Sequence, residues 1–495
     1  MKRLFRTIPL FVALIPLFFV LHGYRENLGY IHPGEAILLA AVYLLGSALI
    51  FASCLVLFRD VSKAALAAGA VLMFYFFFGA LQDFLKAHVH TLSRYSFVVP
   101  AILVATISWI VFLKRTKRSF PRLIFYLNCL FMIYILVDGV LTVSAQKRAS
   151  GYEGAHASRD TIRFSTFDGP KRDIYFLIFD AYASSKCLRE QYHYDNGDFD
   201  RFLANKGFHI QTASRANYKY TILSIPSILN MCYLDRLKDV KGGPVAEYYY
   251  LSDCIKDNEL GSWLQSTGYD IVNCSIFDLR GHPSPITESL LPLQTRLITD
   301  QTFYSRFYRD VGWNFFRYTV NPLSDKEINL TLNNDNKLIA LLESASAMPS
   351  AQPRFFYGHF NIPHPPYYYD KENRRRKVAA PYKPTDEDHV QDYLDYLNYT
   401  NKRAEGLIDT IFANTHGQAV IIVMGDHGLR HGDKLGYNPP FFLENQNAVY
   451  FPGKDYHLLY DSISGVNQFR VILNSVMGQR LPLLKDSIVN VKDKK

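Results

Sequence analysis

No CxxC pair occurs in these 495 residues, and along the first 141 charge is scarce. The missing pairs argue against a zinc ribbon, whose ligands come in such spacings. The scarcity of charge falls in five stretches: roughly Thr7 to Tyr24, Ala36 to Phe58, Ala64 to Leu81, Ser96 to Leu113, and Leu123 to about Leu141. Each is about long enough to cross a hydrocarbon layer as a helix, so five spans are expected. The first follows Lys2, Arg3 and Arg6, as a signal peptide would, but no small-residue cleavage site follows it, which favours a retained helix.

The basic balance of the chain belongs to this same region. Residues 1–122 hold thirteen Lys and Arg against four Asp and Glu, which accounts for the whole formal charge of +9. The rest is neutral overall, whereas a nucleic-acid binder would carry its excess on a soluble surface. Lys2, Arg3, Arg6, Arg59, Lys63 and the cluster from Lys114 to Arg122 fall on one side of the spans, against Arg25, Lys86 and Arg94 on the other. The bias places the amino terminus in the cytoplasm and, after five crossings, everything beyond about Ser144 outside.

Two of the six cysteines, Cys54 and Cys129, fall in spans; Cys187, Cys232, Cys254 and Cys274 fall beyond them, where an oxidising compartment would permit disulfides in any of three pairings. Residues 1–144 read as the membrane region, and the polar, Gly/Ser-rich residues 145–171 as a linker. Residues 172–495, free of repeats and low-complexity tracts, read as one soluble domain. There, short apolar runs at 173–179, 269–275, 354–360 and 418–424 alternate with helical patterns, the clearest at 386–415. That alternation predicts an α/β domain with a mainly parallel sheet, whose ligands gather beyond the carboxyl ends of the strands.

Polar residues sit at those ends. Asp180 closes the first run, and Asp426 with His427 closes the fourth, within GDHGLRHGD. Two carboxylates and an imidazole suit zinc or manganese, although a single Asp after a strand is ordinarily a cap or turn residue. Thr221 opens a helical pattern in NYKYTILSIPSILNM. It reads either as an N-cap or as a nucleophile whose hydroxyl a metal ionises, with the helix amides receiving a phosphate.

Taken together, FDAYASS, the NYxxTxxS stretch, PHPPY, GDHG and the closing NAVYFPGKDYHLLYDSISGVNQFRVILN resemble the sulfatase-like branch of the alkaline phosphatase superfamily. With the spans ahead of that domain, the chain is similar to lipoteichoic acid synthases and lipid A phosphoethanolamine transferases. The resemblance implies an alkaline phosphatase/sulfatase-like α/β sandwich and one divalent metal on Asp180, Thr221, Asp426 and His427, with Thr221 also the nucleophile. It implies that His364 faces the transferred phosphate, serving both catalysis and binding, with Arg430, His359 and His431 as further substrate-binding candidates. The transferases commonly have Glu where Asp180 stands.

The activity implied is transfer of a phosphoethanolamine or phosphoglycerol group from a membrane lipid donor to an envelope glycan or lipid, or its hydrolytic release to water, by a multi-pass protein of a bacterial inner membrane with its catalytic domain on the outer, periplasmic face. Two alternatives stand. Ser224-Ile225-Pro226-Ser227-Ile228 is similar to the sulfatase signature, with Ile228 where an arginine is expected and Ala181 where a second aspartate often follows. The other is a membrane-anchored binding protein with a decayed site.

Overall fold

The computed structural model describes residues 8–28, 31, 33–150, 162–239, 244–286, 295–312, 329–376, 386–430 and 439–489. The chain divides into two units, one of residues 1–159 with 288–320, the other of residues 160–287 with 321–495.

The first unit is helical: α1 (Phe11–Glu26), α2 (Pro33–Phe58), α3 (Val61–His88), α4 (Tyr95–Arg115) and α5 (Pro121–Ser150). Among the described residues, five helices stand where five spans are expected, but four are long and apolar enough to cross a membrane. The exception is α1, whose 16 residues rise only about 24 Å, short of a hydrocarbon core of about 30 Å. Asp60 sets the start of α3, its carboxylate accepting from the Lys63 amide at 2.9 Å.

Sequence places residues 295–312 in the soluble domain, yet they pack in the helical unit as two short helices, Arg296–Thr299 and Phe303–Phe307. Arg306 forms a two-pronged ion pair with Asp83 of α3, both bonds 2.7 Å. Gly79 lets this segment approach α3: a Cβ there would lie 2.6 Å from the Gln301 carbonyl oxygen. Hydropathy missed this placement because the segment mixes aromatic with charged residues.

The second unit is an α/β sandwich around a sheet that, among the described residues, has six strands ordered β2-β6-β5-β1-β4-β3. Its strands are β1 (Ile174–Phe179), β2 (His209–Ile210), β3 (Asp270–Cys274), β4 (Arg354–Phe360), β5 (Val420–Met424) and β6 (Asn447–Tyr450). β3, β4, β1 and β5 run parallel; β6 lies antiparallel to β5, and β2 to β6. The four apolar runs are the parallel strands, and β1 is buried along its whole length, as a central strand covered on both faces must be.

Alternation along β1 sorts the core. Tyr175, Leu177 and Phe179 point into a layer with α6 (Ser185–Tyr192), α7 (Gly197–Lys206) and, further along the chain, helices Leu330–Ala347 and Asp386–Thr415. Ile174, Phe176 and Ile178 point the other way, into a layer with α8 (Thr221–Asn230), α9 (Pro244–Lys256), α10 (Glu259–Ser266) and helix Gly465–Met477. Helices Leu330–Ala347, Asp386–Thr415 and Gly465–Met477 are labelled α11, α12 and α13. All six cysteines are free thiols. Burial pushes the Cys187 and Cys274 thiols up to about 12, which leaves them unreactive.

Candidate active site

The two-residue period of the sheet brings the site together. Counting on from Ile174, Phe176 and Ile178 leads to Asp180, and from Val420, Ile422 and Met424 to Asp426. Phe355 and Tyr357 lead likewise to His359, which pairs with Ile178. All three polar residues therefore face the α8 layer at one sheet edge, where Thr221 opens α8. They are buried, with Asp426, His427 and His359 fully so.

Thr221 is the first helical residue, and the N-cap before it, Tyr220, makes no side-chain capping bond. Its Oγ1 lies 3.3 Å from Nε2 of His427 and donates to Oδ2 of Asp180 at 3.5 Å. The opening amides of a helix lack intrahelical partners, so α8 also offers donors to an anion beside this hydroxyl. Ser224 points elsewhere: it is buried and donates to the Tyr218 carbonyl at 3.0 Å.

The histidine tautomers follow from their partners. Nδ1 of His427 lies 2.8 Å from the Gly428 carbonyl, which can only accept, so Nδ1 carries the proton and Nε2 presents a lone pair. That lone pair is 3.4 Å from Oδ2 of Asp426 and 3.7 Å from Oδ1 of Asp180. Nδ1 of His359 meets the Tyr357 hydroxyl at 3.1 Å, and its Nε2 lies 3.9 Å from Oδ2 of Asp180. Burial would raise the Asp180 carboxyl, but His364 and His359 beside it outweigh burial and hold it below the usual carboxylate range. Burial pushes His427 down, against the pull of Asp426 and Asp180, which favours the neutral imidazole.

A divalent cation fits this arrangement. Oδ1 of Asp180, Oδ2 of Asp426 and Nε2 of His359 are buried without hydrogen-bond partners. Asp180, His359 and Asp426 can each offer one ligand atom within 4.8 Å of the others. Converging lone pairs on two buried carboxylates would be costly unless a cation neutralised them. Oδ1 of Asp426, by contrast, is saturated by the amides of Ala181 (3.0 Å) and His427 (2.9 Å). Ala181 adopts a left-handed φ of 61°, a strained conformation for a residue with a Cβ. Gly425 is sterically required, since a Cβ there would meet the Tyr182 carbonyl oxygen at 2.4 Å.

At the rim, Arg430 donates to Nε2 of His364 at 3.1 Å while Nδ1 of His364 lies 2.9 Å from the Pro365 carbonyl. The Arg430 guanidinium also stacks 5.2 Å from the ring centre of Tyr220, the residue before Thr221. His431 lies outside the described residues. Asp335, on α11, escaped the sequence reading: it is buried, and its Oδ1 accepts from the Asn361 amide at 2.7 Å, holding the loop that carries His364. No local motif announces it.

The Sulfatase family model matches residues 182–469, more than half of the chain. The chain belongs to the Sulfatase family. This family's members form the sulfatase-like branch of the alkaline phosphatase superfamily, and its domain here is the α/β sandwich just described. None of the curated proteins matches the chain. Among solved structures, it is similar to the periplasmic domain of EptC from Escherichia coli in complex with zinc, at 13% identity and TM-score 0.42, over 68% of this chain and 95% of that one. It is similar over 95% of its length, and 94% of the other, to the integral membrane lipooligosaccharide phosphoethanolamine transferase A of Neisseria meningitidis, at 14% identity and TM-score 0.37. A Bacteroides thetaiotaomicron protein from a glycosaminoglycan-metabolising locus matches at 13% identity and TM-score 0.40, over 62% of this chain and 72% of that one. The family assignment rests on the match over 182–469.

Proposed function

We propose that this Sulfatase-family chain is a membrane-anchored, metal-dependent transferase that moves a phosphoethanolamine or phosphoglycerol group through a phosphothreonine at Thr221. The observation carrying the choice of nucleophile is the contrast between two hydroxyls: Thr221 faces the carboxylates and His427, while Ser224 is buried against the Tyr218 carbonyl.

Asp180, Asp426, His427 and Thr221 would hold the metal, with His359 beside them as a further ligand candidate; zinc or manganese suits this donor set. When bound, the ion would supply positive charge that lowers the hydroxyl pKa and neutralises phosphoryl oxygens. Thr221 Oγ1 then forms a bond to phosphorus as the bond to the lipid's glycerol oxygen breaks, and the departing oxygen takes up a proton. The acceptor hydroxyl reverses the sequence, displacing Thr221 from phosphorus and losing its proton. Arg430 and His364 bind and orient the anionic oxygens of the group in transit, and the opening amides of α8 add further donors. The donor in this reading is a membrane phospholipid and the acceptor an envelope glycan or lipid, with the catalytic domain on the periplasmic side of an inner membrane.

A sulfatase working through Ser224 has less support, because its hydroxyl is committed to a carbonyl and Ile228 stands where the signature arginine is expected. A decayed site would have no reason to keep three unpartnered, buried ligand atoms converging.

The test is incubation of the full chain with phosphatidylethanolamine or phosphatidylglycerol, each labelled in its headgroup, followed by peptide mass spectrometry. A headgroup phosphate adduct on Thr221 is expected with one of them. Formylglycine at Ser224, or turnover without any adduct at Thr221, would overturn the mechanism.

A further inference from the structure

Within the helical unit, the segment from Thr295 to Val311 is two-faced. One face is seated on the helices: Ile298 packs against Gly23 of α1, where a Cβ would come within 2.8 Å of its side chain. The Phe303 ring lies 4.6 Å from that of Phe74 and 5.0 Å from that of Phe78, and Phe307 meets Tyr95 at 6.1 Å. Arg306 is buried and saturated by Asp83, the Asp300 carbonyl and Gln301. The other face is open: Tyr304 is 63% exposed and Leu297 45%, and Tyr308 stacks on Tyr304 at 6.0 Å.

The seat lies at one end of the bundle. Gly23 is three residues from the end of α1, Asp83 five from the end of α3, and Tyr95 is the first residue of α4. The sequence of α3 marks the depth. No charged residue occurs from Ala64 to Leu81, after which Gln82, Asp83 and Lys86 follow in quick succession. Its 28 residues span about 42 Å, more than a hydrocarbon core of about 30 Å, so its ends reach the headgroup layer. Asp83 thus stands at the boundary between hydrocarbon and headgroups, and the segment it holds lies at the same depth. Leu81, Phe84 and Leu92 are exposed at this end as well, adding apolar surface at the same end of the bundle.

We infer that residues 295–311, with α2 to α5 taken as membrane spans, form an interfacial element whose open face is covered by lipid. Tyrosines suit that layer, with the ring among acyl chains and the hydroxyl among headgroups. The Arg306–Asp83 pair anchors the segment there without leaving an unpaired charge in a layer of low dielectric. A chain excursion from the soluble domain is therefore moored in the membrane surface, between β3 and α11.

The experiment uses the full chain in nanodiscs of phosphatidylethanolamine and phosphatidylglycerol, doped with lipid carrying a photoactivatable diazirine near the acyl carbonyl. Peptide mapping should find adducts on Leu297, Tyr304 or Tyr308, alongside adducts on exposed Leu45 and Leu49 of α2. Hydroxyl-radical oxidation of Tyr304 should be several-fold slower than that of Tyr248, which is less exposed in the protein but belongs to the soluble unit. Adducts on α2 with none on residues 297–308 would sink the inference, as would oxidation of Tyr304 at the rate of Tyr248. Absence of adducts on α2 would overturn it together with the membrane reading of that helix.

Discussion

Thr221 Oγ1 stands 3.3 Å from Nε2 of His427, whereas the hydroxyl three residues on, Ser224, is bound to the carbonyl of Tyr218. One turn of helix thus separates a hydroxyl aimed at the carboxylates from one that is part of the fold.

Thr221→Ala should therefore abolish both turnover and the covalent adduct, with the thermal midpoint little changed, because the N-cap of α8 is Tyr220 rather than Thr221. Ser224→Ala removes a buried hydrogen bond worth about 1 kcal/mol and should lower the midpoint while leaving most of the activity. Thr221→Ser should keep part of it, since the oxygen remains but its rotamer is less restricted. Parallel activity and melting measurements on the three variants read this out. The reverse pattern for Thr221→Ala and Ser224→Ala would rule out the nucleophile.

Asp426→Asn should strip metal from the protein without unfolding it. Oδ1 accepts from two backbone amides, and an asparagine carbonyl can keep both. The bare Oδ2 becomes an NH2 group, which offers hydrogens where a cation needs a lone pair. Elemental analysis of the purified full chain beside circular dichroism checks both halves; a folded variant with full metal occupancy would show that the ligands lie elsewhere.

Asp335 gives a pH signature. Burial is the main cause that pushes its carboxyl up to about 8 from an ordinary 3.8, with the Asn361 amide pulling down and Asp180 adding to the rise. The folded state thus holds a proton that the unfolded chain has already lost above pH 3.8. The stability this contributes is fully present below that pH and disappears as pH climbs through about 8. Asp335→Asn keeps an acceptor for Asn361 and no ionisable group, so it should flatten the decline of stability with pH in that window. Denaturant midpoints at pH 5 to 8.5 test it; identical slopes for variant and wild type would refute the assignment.

Arg306 and Asp83 should be coupled. Asp83→Asn removes the charge partner of a buried guanidinium and should cost about 1–3 kcal/mol, below the full cost of a buried pair because Asp83 is itself half exposed. Arg306→Gln should cost a similar amount, and the double variant less than the sum of the two. A double-mutant cycle on thermal stability in nanodiscs measures the coupling, and simple additivity would show that the pair contributes nothing.

Much of this was legible in the amino-acid order. Apolar length disclosed helices α2 to α5, and β1, β4 and β5 showed as short apolar runs, since burial on both faces leaves no choice of residue type, while the edge strand β3 is only partly buried. Asp180, Thr221, Asp426 and His427 stood out because each closes or opens such an element with a polar group. Other features were settled only by three-dimensional packing. His359 hides inside an apolar strand, and its approach to Asp180 depends on the register of β4 against β1, which no local pattern encodes. Asp335 acts on a loop 26 residues away, through one buried amide. The segment at 295–312 left the soluble unit for the helical one because of an ion pair, two glycines and three aromatic contacts distributed over more than 200 residues of chain. Sequence determines which groups must be buried or paired; only the tertiary structure decides with whom, because partners distant along the chain are selected by the geometry of the whole.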